Sequence, residues 1–173
     1  MPERAAPVAI VGLGLMGEVY AQRLLDAKIP VIGFDIDPAR RTRLMEIGGR
    51  ATDSITALAR PARCIIIAVF NTEQVEDVLE NHLLPALGDG SNKIVLCMST
   101  CDPDRVAALA KRIIPRGIHY LDVPVSGTSD QVRRGDGVAL IGGDAAIADD
   151  VKDVLDALFG RRFLSAVPVP IPA

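Results

Sequence analysis

At 173 residues the chain is long enough for one well-filled domain, or for one domain and a fragment. A net charge of −3, with acids and bases interspersed, leaves no basic block for nucleic acid or an anionic membrane surface, and no apolar run is long enough to span a bilayer. With no Trp and only 3% aromatic residues, the core has to be aliphatic. The polar opening residues lack the apolar run of a signal peptide. The three cysteines, Cys64, Cys97 and Cys101, are odd in number and fall in or near expected strands, which fits reduced thiols, a cytoplasmic setting and no metal site.

The first expected element is the strand Val8-Ala9-Ile10-Val11. It runs into Gly12-Leu13-Gly14-Leu15-Met16-Gly17, a G-x-G-x-x-G turn, followed by a helix expected over 18–25. Strand, glycine turn and helix in that order form the geometry that holds a dinucleotide pyrophosphate. Gly12 turns the strand sharply, Gly14 lets a phosphate approach the backbone, and Gly17 lets helix and strand pack closely. The unpaired N–H groups and positive dipole end of the helix then face the phosphate. A second buried strand, Val31-Ile32-Gly33-Phe34, ends at Asp35, where a carboxylate would accept hydrogen bonds from an adenosine ribose.

Asp37 and Pro38 open a helix expected over 38–47, closed by Gly48-Gly49. A short strand over 50–52 and a short helix to Arg60, capped by Asp53, come next. The run 64–69 is continuously apolar, as in a strand covered on both faces. Phe70-Asn71 turns out of it, and Thr72-Glu73 open a helix with Val75, Val78, Leu79 and Leu83 on one face. Further strands are expected over 94–98, 118–123 and 137–142, with a helix over 103–114 and one over 145–158 capped by Asp144. The alternation implies a Rossmann-type, doubly wound, mostly parallel α/β sheet with helices on both faces. Residues 1–164 form that domain, and 165–173, alternating with proline, form an extended tail. In such sheets ligands bind beyond the carboxyl ends of the strands. Those turns hold Gly12 to Gly17, Asp35, Phe70-Asn71, Ser99-Thr100 and Ser126-Gly127-Thr128, with no lysine or histidine among them. His82 and His119 read as structural.

Several of these segments together resemble the β-hydroxyacid dehydrogenases, relatives of 3-hydroxyisobutyrate and 6-phosphogluconate dehydrogenases. They are the glycine turn, Ser99-Thr100, Leu121-Asp122-Val123-Pro124-Val125-Ser126-Gly127, Arg134-Gly135 and Ile141-Gly142-Gly143-Asp144. The resemblance covers roughly 8–163 and implies an oxidoreductase that passes hydride between a nicotinamide and a small 3-hydroxy acid. It places the glycine turn and Asp35 on the cofactor. Val69, Phe70, Asn71 and Thr100 fall on the nicotinamide side, and Ser126 with the Gly127 amide on the substrate carboxylate. Thr128 stands where the family usually has glycine, and would narrow the pocket or add a hydroxyl.

Asp35 is followed by Ile36 rather than Arg, so NAD is expected over NADP. Arg40 and Arg41 read as a solvated helix face, NADP staying open if either reaches a 2′-phosphate. The family's all-helical second domain, with its catalytic lysine and most of its homo-oligomer interface, has no counterpart here. The chain is therefore expected to carry no catalytic residue, to bind NAD weakly and to be nearly inactive alone. Its surface around 159–164 is expected to expose apolar area. An imine reductase, or a non-catalytic NAD-binding module, are the other readings.

Overall fold

The computed structural model describes residues 6–165. The amino-terminal residues 1–5 and all but the first residue of the expected tail therefore lie outside the description. Six parallel strands form the central sheet: β1 (Val8–Val11), β2 (Val31–Phe34), β3 (Arg50–Ala51), β4 (Cys64–Ile67), β5 (Lys93–Cys97) and β6 (Ile118–Asp122). Their spatial order is β3-β2-β1-β4-β5-β6, so the direction of winding reverses between β1 and β4. Along β1 alternate residues serve two cores. Val8 and Ile10 join the cluster on one face, Ala9 and Val11 the cluster on the other. That is why these strands read as continuous apolar runs.

Helices α1 (Leu15–Asp26), α2 (Pro38–Glu46), α3 (Ile55–Ala59), α4 (Thr72–Asp77), α5 (Leu84–Leu87) and α6 (Pro103–Ile113) connect the strands. Asp37 caps α2 as expected, its carboxylate accepting from the Ala39 N–H. The cap of α3 is Ser54 rather than Asp53, because it is the Ser54 hydroxyl that accepts from the Ala57 N–H. The expected single helix after Asn71 widens into a π stretch at Val78–Leu83. Pro85, at the start of α5, supplies no N–H and crowds the carbonyl a turn earlier, and the wider turn relieves that conflict. Val75, Val78, Leu79 and Leu83 are nonetheless all buried on the expected face.

Beyond β6 the chain departs from a simple continuation of the sheet. Strands β7 (Val125–Ser126), β8 (Val138–Ile141) and β9 (Arg161–Leu164) make a separate three-stranded sheet, with β7 antiparallel to β8. Between them lie α7 (Ser129–Arg134), α8 (Ala145–Asp150) and α9 (Lys152–Leu158). The expected helix over 145–158 is thus two, broken at Val151. Asp149 and Asp150 occupy the end of α8, where the helix dipole disfavours negative charge. Arg23 of α1 pins this region. Its guanidinium donates to the Ala157 carbonyl at 3.0 Å and the Arg133 carbonyl at 3.2 Å, at the ends of α9 and α7.

The expected apolar surface at 159–164 is only partly present. Phe159 is buried, its ring edge-on to Tyr20 with centroids 6.2 Å apart, so it belongs to the core. Phe163 and Leu164, with Leu140 of the neighbouring strand, are exposed on the small sheet. No helix among the described residues is long and apolar enough to cross a membrane.

Asp122 ends β6 and joins the two sheets, exchanging backbone hydrogen bonds with Gly142 at 2.9 and 2.8 Å. Burial pushes its carboxyl from 3.8 up to about 6. The fold therefore favours the protonated form, and this contribution is lost as pH rises through about 6. Asp122→Asn is expected to raise the melting temperature at pH 8 and to leave it unchanged at pH below about 4. Thermal unfolding of both proteins across that range checks this; a gain independent of pH contradicts it.

Candidate active site: a dinucleotide cleft

The carboxyl ends of β1, β2, β4 and β5 open on a cavity of about 930 Å³, near the upper end of the ~300–1,000 Å³ usual for small-molecule and cofactor sites. Its walls are the glycine turn, the β2–α2 turn, the start of α3, and the loops after β4 and β5.

The three glycines have separate reasons. Gly12 sits at φ +94°, which side-chain-bearing residues rarely adopt, and a Cβ on it would overlap the Ala68 carbonyl oxygen. A Cβ on Gly17 would overlap the Gly12 carbonyl oxygen, so this glycine sets the close approach of α1 to the turn. Gly14 differs. Its backbone is extended, and a Cβ there would meet only the Arg40 guanidinium, at an ordinary 3.5 Å. Protein packing does not require glycine at 14; a ligand against the backbone would. α1 begins at Leu15, three residues before the expected start, because Gly17 is accommodated inside its first turn. No side chain caps that end, so its first N–H groups lack intrahelical partners, and Gly14, Leu15 and Met16 line the cavity there.

Asp35 is buried, and both carboxylate oxygens are bonded within the protein. One accepts from the Leu13 N–H at 2.8 Å and lies 3.4 Å from the Arg40 guanidinium; the other accepts from the Asp37 N–H at 2.9 Å. The oxygen bonded to the Asp37 N–H has capacity for a further donor, and Asp35 lines the cavity. The Leu13 amide is thereby committed, and the Leu13 side chain is buried in the core. Arg40 is exposed, as expected of a solvated helix face, and also pairs with Asp35. Arg40 lines the cavity beside Asp35, whereas Arg41 donates to the Asp35 carbonyl at 2.6 Å and braces the turn.

On the opposite wall the Ser99 hydroxyl accepts from the Val69 N–H at 3.0 Å and donates to the Val69 carbonyl at 2.9 Å. This buried strap ties the loop after β5 to the loop after β4. It places Val69, Phe70 and Thr100 on the cavity together. Asn71 is held back from it, its side-chain oxygen capping α4 through the Gln74 N–H at 2.9 Å. Leu15, Ile36 and Phe70 are large apolar residues left 70%, 85% and 89% exposed around the same opening. Such exposure is costly in water and is the expected state of residues that flank a flat ligand.

The three expected substrate residues are elsewhere. Ser126 lies in β7, Gly127 has φ +134°, and all three are exposed outside the cavity walls. Thr128 caps α7: its hydroxyl accepts from the Gln131 N–H at 3.2 Å, and the Gln131 side chain accepts from the Thr128 N–H at 2.8 Å. The cap occupies the Thr128 amide and one acceptor position of its hydroxyl, and leaves the O–H free to donate. Residues missed by sequence reasoning include Asp53, Ser54, Asp77 and His82. His82, read as structural, stands in the cavity wall 3.4 Å from Asp77. No lysine is among the lining residues. Lys93 donates to the Arg60 and Ala62 carbonyls, and Lys152 pairs with Asp156.

The profile of the NAD-binding domain of 6-phosphogluconate dehydrogenase matches residues 7–165. L-threonate dehydrogenase of Cupriavidus necator is 30% identical over 156 residues, covering 90% of this chain and 52% of that protein. The crystal structure of 3-hydroxyisobutyrate dehydrogenase from Salmonella typhimurium superposes with a TM-score of 0.84 at 29% identity, over 93% of this chain and 56% of that one. An imine reductase from Pseudomonas sp. superposes with a TM-score of 0.85 at 27% identity, over 95% and 57%. The chain thus spans about half the length of the proteins it matches.

The two glycines flanking the helix start separate folding from binding. Gly14→Ala is expected to leave the melting temperature unchanged and to weaken NAD about tenfold or more, roughly 1.4 kcal/mol per factor of ten. Gly17→Ala is expected to lower the melting temperature outright. Thermal unfolding alongside calorimetric titration of both variants checks the pair.

Proposed function

This chain belongs to the family of the NAD-binding domain of 6-phosphogluconate dehydrogenase, and from that premise we propose that it holds NAD for hydride transfer to and from a small hydroxy acid. The observation that carries the reading is the uncapped first turn of α1 opening on the cavity at Gly14, the one glycine of the turn that protein packing does not require. The N–H groups of Leu15 and Met16 and the positive end of α1 hold the pyrophosphate. Asp35 accepts from the adenosine ribose with its remaining capacity. Ile36 covers the adenosine side, while Val69, Phe70 and Thr100, set by the Ser99 strap, flank the nicotinamide. NAD, when bound, supplies the two-electron hydride acceptor.

The Ser126 hydroxyl and the Gly127 amide are the donors offered to a substrate carboxylate. The carbinol proton needs a base, and the lining residues include no lysine. The resemblance to the β-hydroxyacid dehydrogenases supports a base supplied by that family's all-helical domain. Sequence likeness to an L-threonate dehydrogenase supports a hydroxy acid as substrate, and the equal fold likeness to an imine reductase supports a second reading, reduction of a C=N bond. Both use the same cofactor half.

Cofactor preference follows from charge. A 2′-phosphate about 4 Å from the Asp35 carboxylate would be repelled by ~1 kcal/mol in water and ~4 kcal/mol at a surface-like dielectric. Arg40 offsets part of that, so the preference for NAD is expected to be about tenfold rather than absolute. Asp35→Asn keeps one acceptor oxygen for the two N–H groups, so both affinities should fall, and the difference between them should close to within about threefold. Calorimetric titration with NAD and NADP measures both; tighter binding of NADP by the unaltered chain contradicts the assignment. The 173 residues alone are expected to oxidise L-threonate or 3-hydroxyisobutyrate negligibly, and rapid, saturable NAD reduction by the pure chain overturns the division of labour.

A further inference from the structure

Cys97 and Cys101 bracket the loop that carries Ser99 and Thr100. Their sulfurs are 3.9 Å apart, Cys97 buried at the end of β5 and Cys101 half-buried beyond it. Between them Ser99 straps the Val69 backbone and Thr100 lines the cleft. Just after them the Asp102 N–H donates to the Thr72 hydroxyl at 2.9 Å, so the far end of the loop is also anchored.

We propose that Cys97 and Cys101 form a reversible disulfide in response to a hydroperoxide, and that its closure loosens the grip on NAD. The chemistry distinguishes the two sulfurs. The hydrogen bond between the two sulfurs holds Cys101 below the ordinary thiol range, with the Thr72 hydroxyl adding to this; burial, Asp122 and Glu76 oppose it. Cys101, the more exposed of the two, is therefore the attacking thiolate. Its sulfur takes the terminal peroxide oxygen, the O–O bond breaks, and an alcohol or water leaves, giving a sulfenic acid. The Cys97 sulfur then displaces that oxygen as water, its own proton leaving with it, and the S–S bond forms. Two thiols have given two electrons to one peroxide. A dithiol reductant returns them. Cys64, fully buried with its thiol pushed up to about 12 mainly by burial, stays out of the exchange.

Closing the sulfurs from 3.9 Å to the ~2.05 Å of a disulfide shortens the span across 97–101. The intervening Ser99 and Thr100 shift with it, and with them the nicotinamide wall. The thiol chemistry stands independently of the cofactor reading; the loosening rests on it.

The test treats the reduced, desalted chain with one equivalent of hydrogen peroxide. The tryptic peptide 94–105 should become two hydrogens lighter with Cys64 unaltered, and dithiothreitol should reverse the change. NAD affinity should fall in parallel, within the ~5–150-fold range of coupled sites. Cys64→Ser should behave like the unaltered chain. Cys101→Ser should show neither effect, and Cys97→Ser should gain one oxygen at Cys101 without cross-linking. An oxygen adduct in place of the disulfide, a bond between chains, or no reaction overturns the pairing. Full NAD affinity in the oxidised chain overturns the coupling. No NAD binding by the reduced chain sinks the cofactor reading and the coupling together, while the mass shift still decides the disulfide.

Discussion

The site depends on one buried carboxylate. Asp35 receives the Leu13 N–H on one oxygen and the Asp37 N–H on the other, and so fixes the glycine turn after β1 against the end of β2. A buried carboxylate is tolerable only when its oxygens are hydrogen-bonded, and here the bonding partners are the two loops that have to be held. The same bond keeps the Leu13 amide on Asp35, while the uncapped start of α1 lies at the cavity. Asp35 thus acts first on the protein, and the ribose would meet a carboxylate already locked in place.

The opposite wall is organised in a similar way. Ser99 is a small buried hydroxyl that both accepts from and donates to the Val69 backbone, joining two loops that share no secondary structure. With Gly12 against Ala68 and Gly17 against Gly12, the loops after β1, β4 and β5 are fixed to one another by backbone contacts that tolerate little substitution. A cleft held this way is pre-organised, so less ordering of loops opposes binding. The side chains at its opening, Leu15, Ile36 and Phe70, are exposed and take no part in that frame.

The parallel sheet was legible because its strands are buried on both faces and its glycines are spaced by the geometry of one turn. Much of the cavity wall was legible at the strand ends for the same reason, from Gly12 to Asp35 and Thr100. What local patterning hid is instructive. The small sheet β7-β8-β9 is made of short strands whose pairing joins residues far apart in sequence, and no periodicity announces it. Thr128-x-x-Gln131 is a capping box whose pattern is visible in the sequence, though only the fold shows both of its bonds made. Phe159 follows the last turn of α9 and reads as exposed until Tyr20, far away in sequence, is seen to cover it. His82 and Asp77 reach the cavity only because α4 and the π stretch after it lie against it, a tertiary fact with no local signal.

The most direct measurement is a crystal structure of the chain grown with NAD. The account predicts the pyrophosphate oxygens within hydrogen-bond distance of the Leu15 and Met16 amides, the adenosine ribose on Asp35, and the Leu13–Asp35 bond of 2.8 Å retained. A dinucleotide seated away from the glycine turn, or one that binds there only after the Leu13–Asp35 bond has opened, contradicts it.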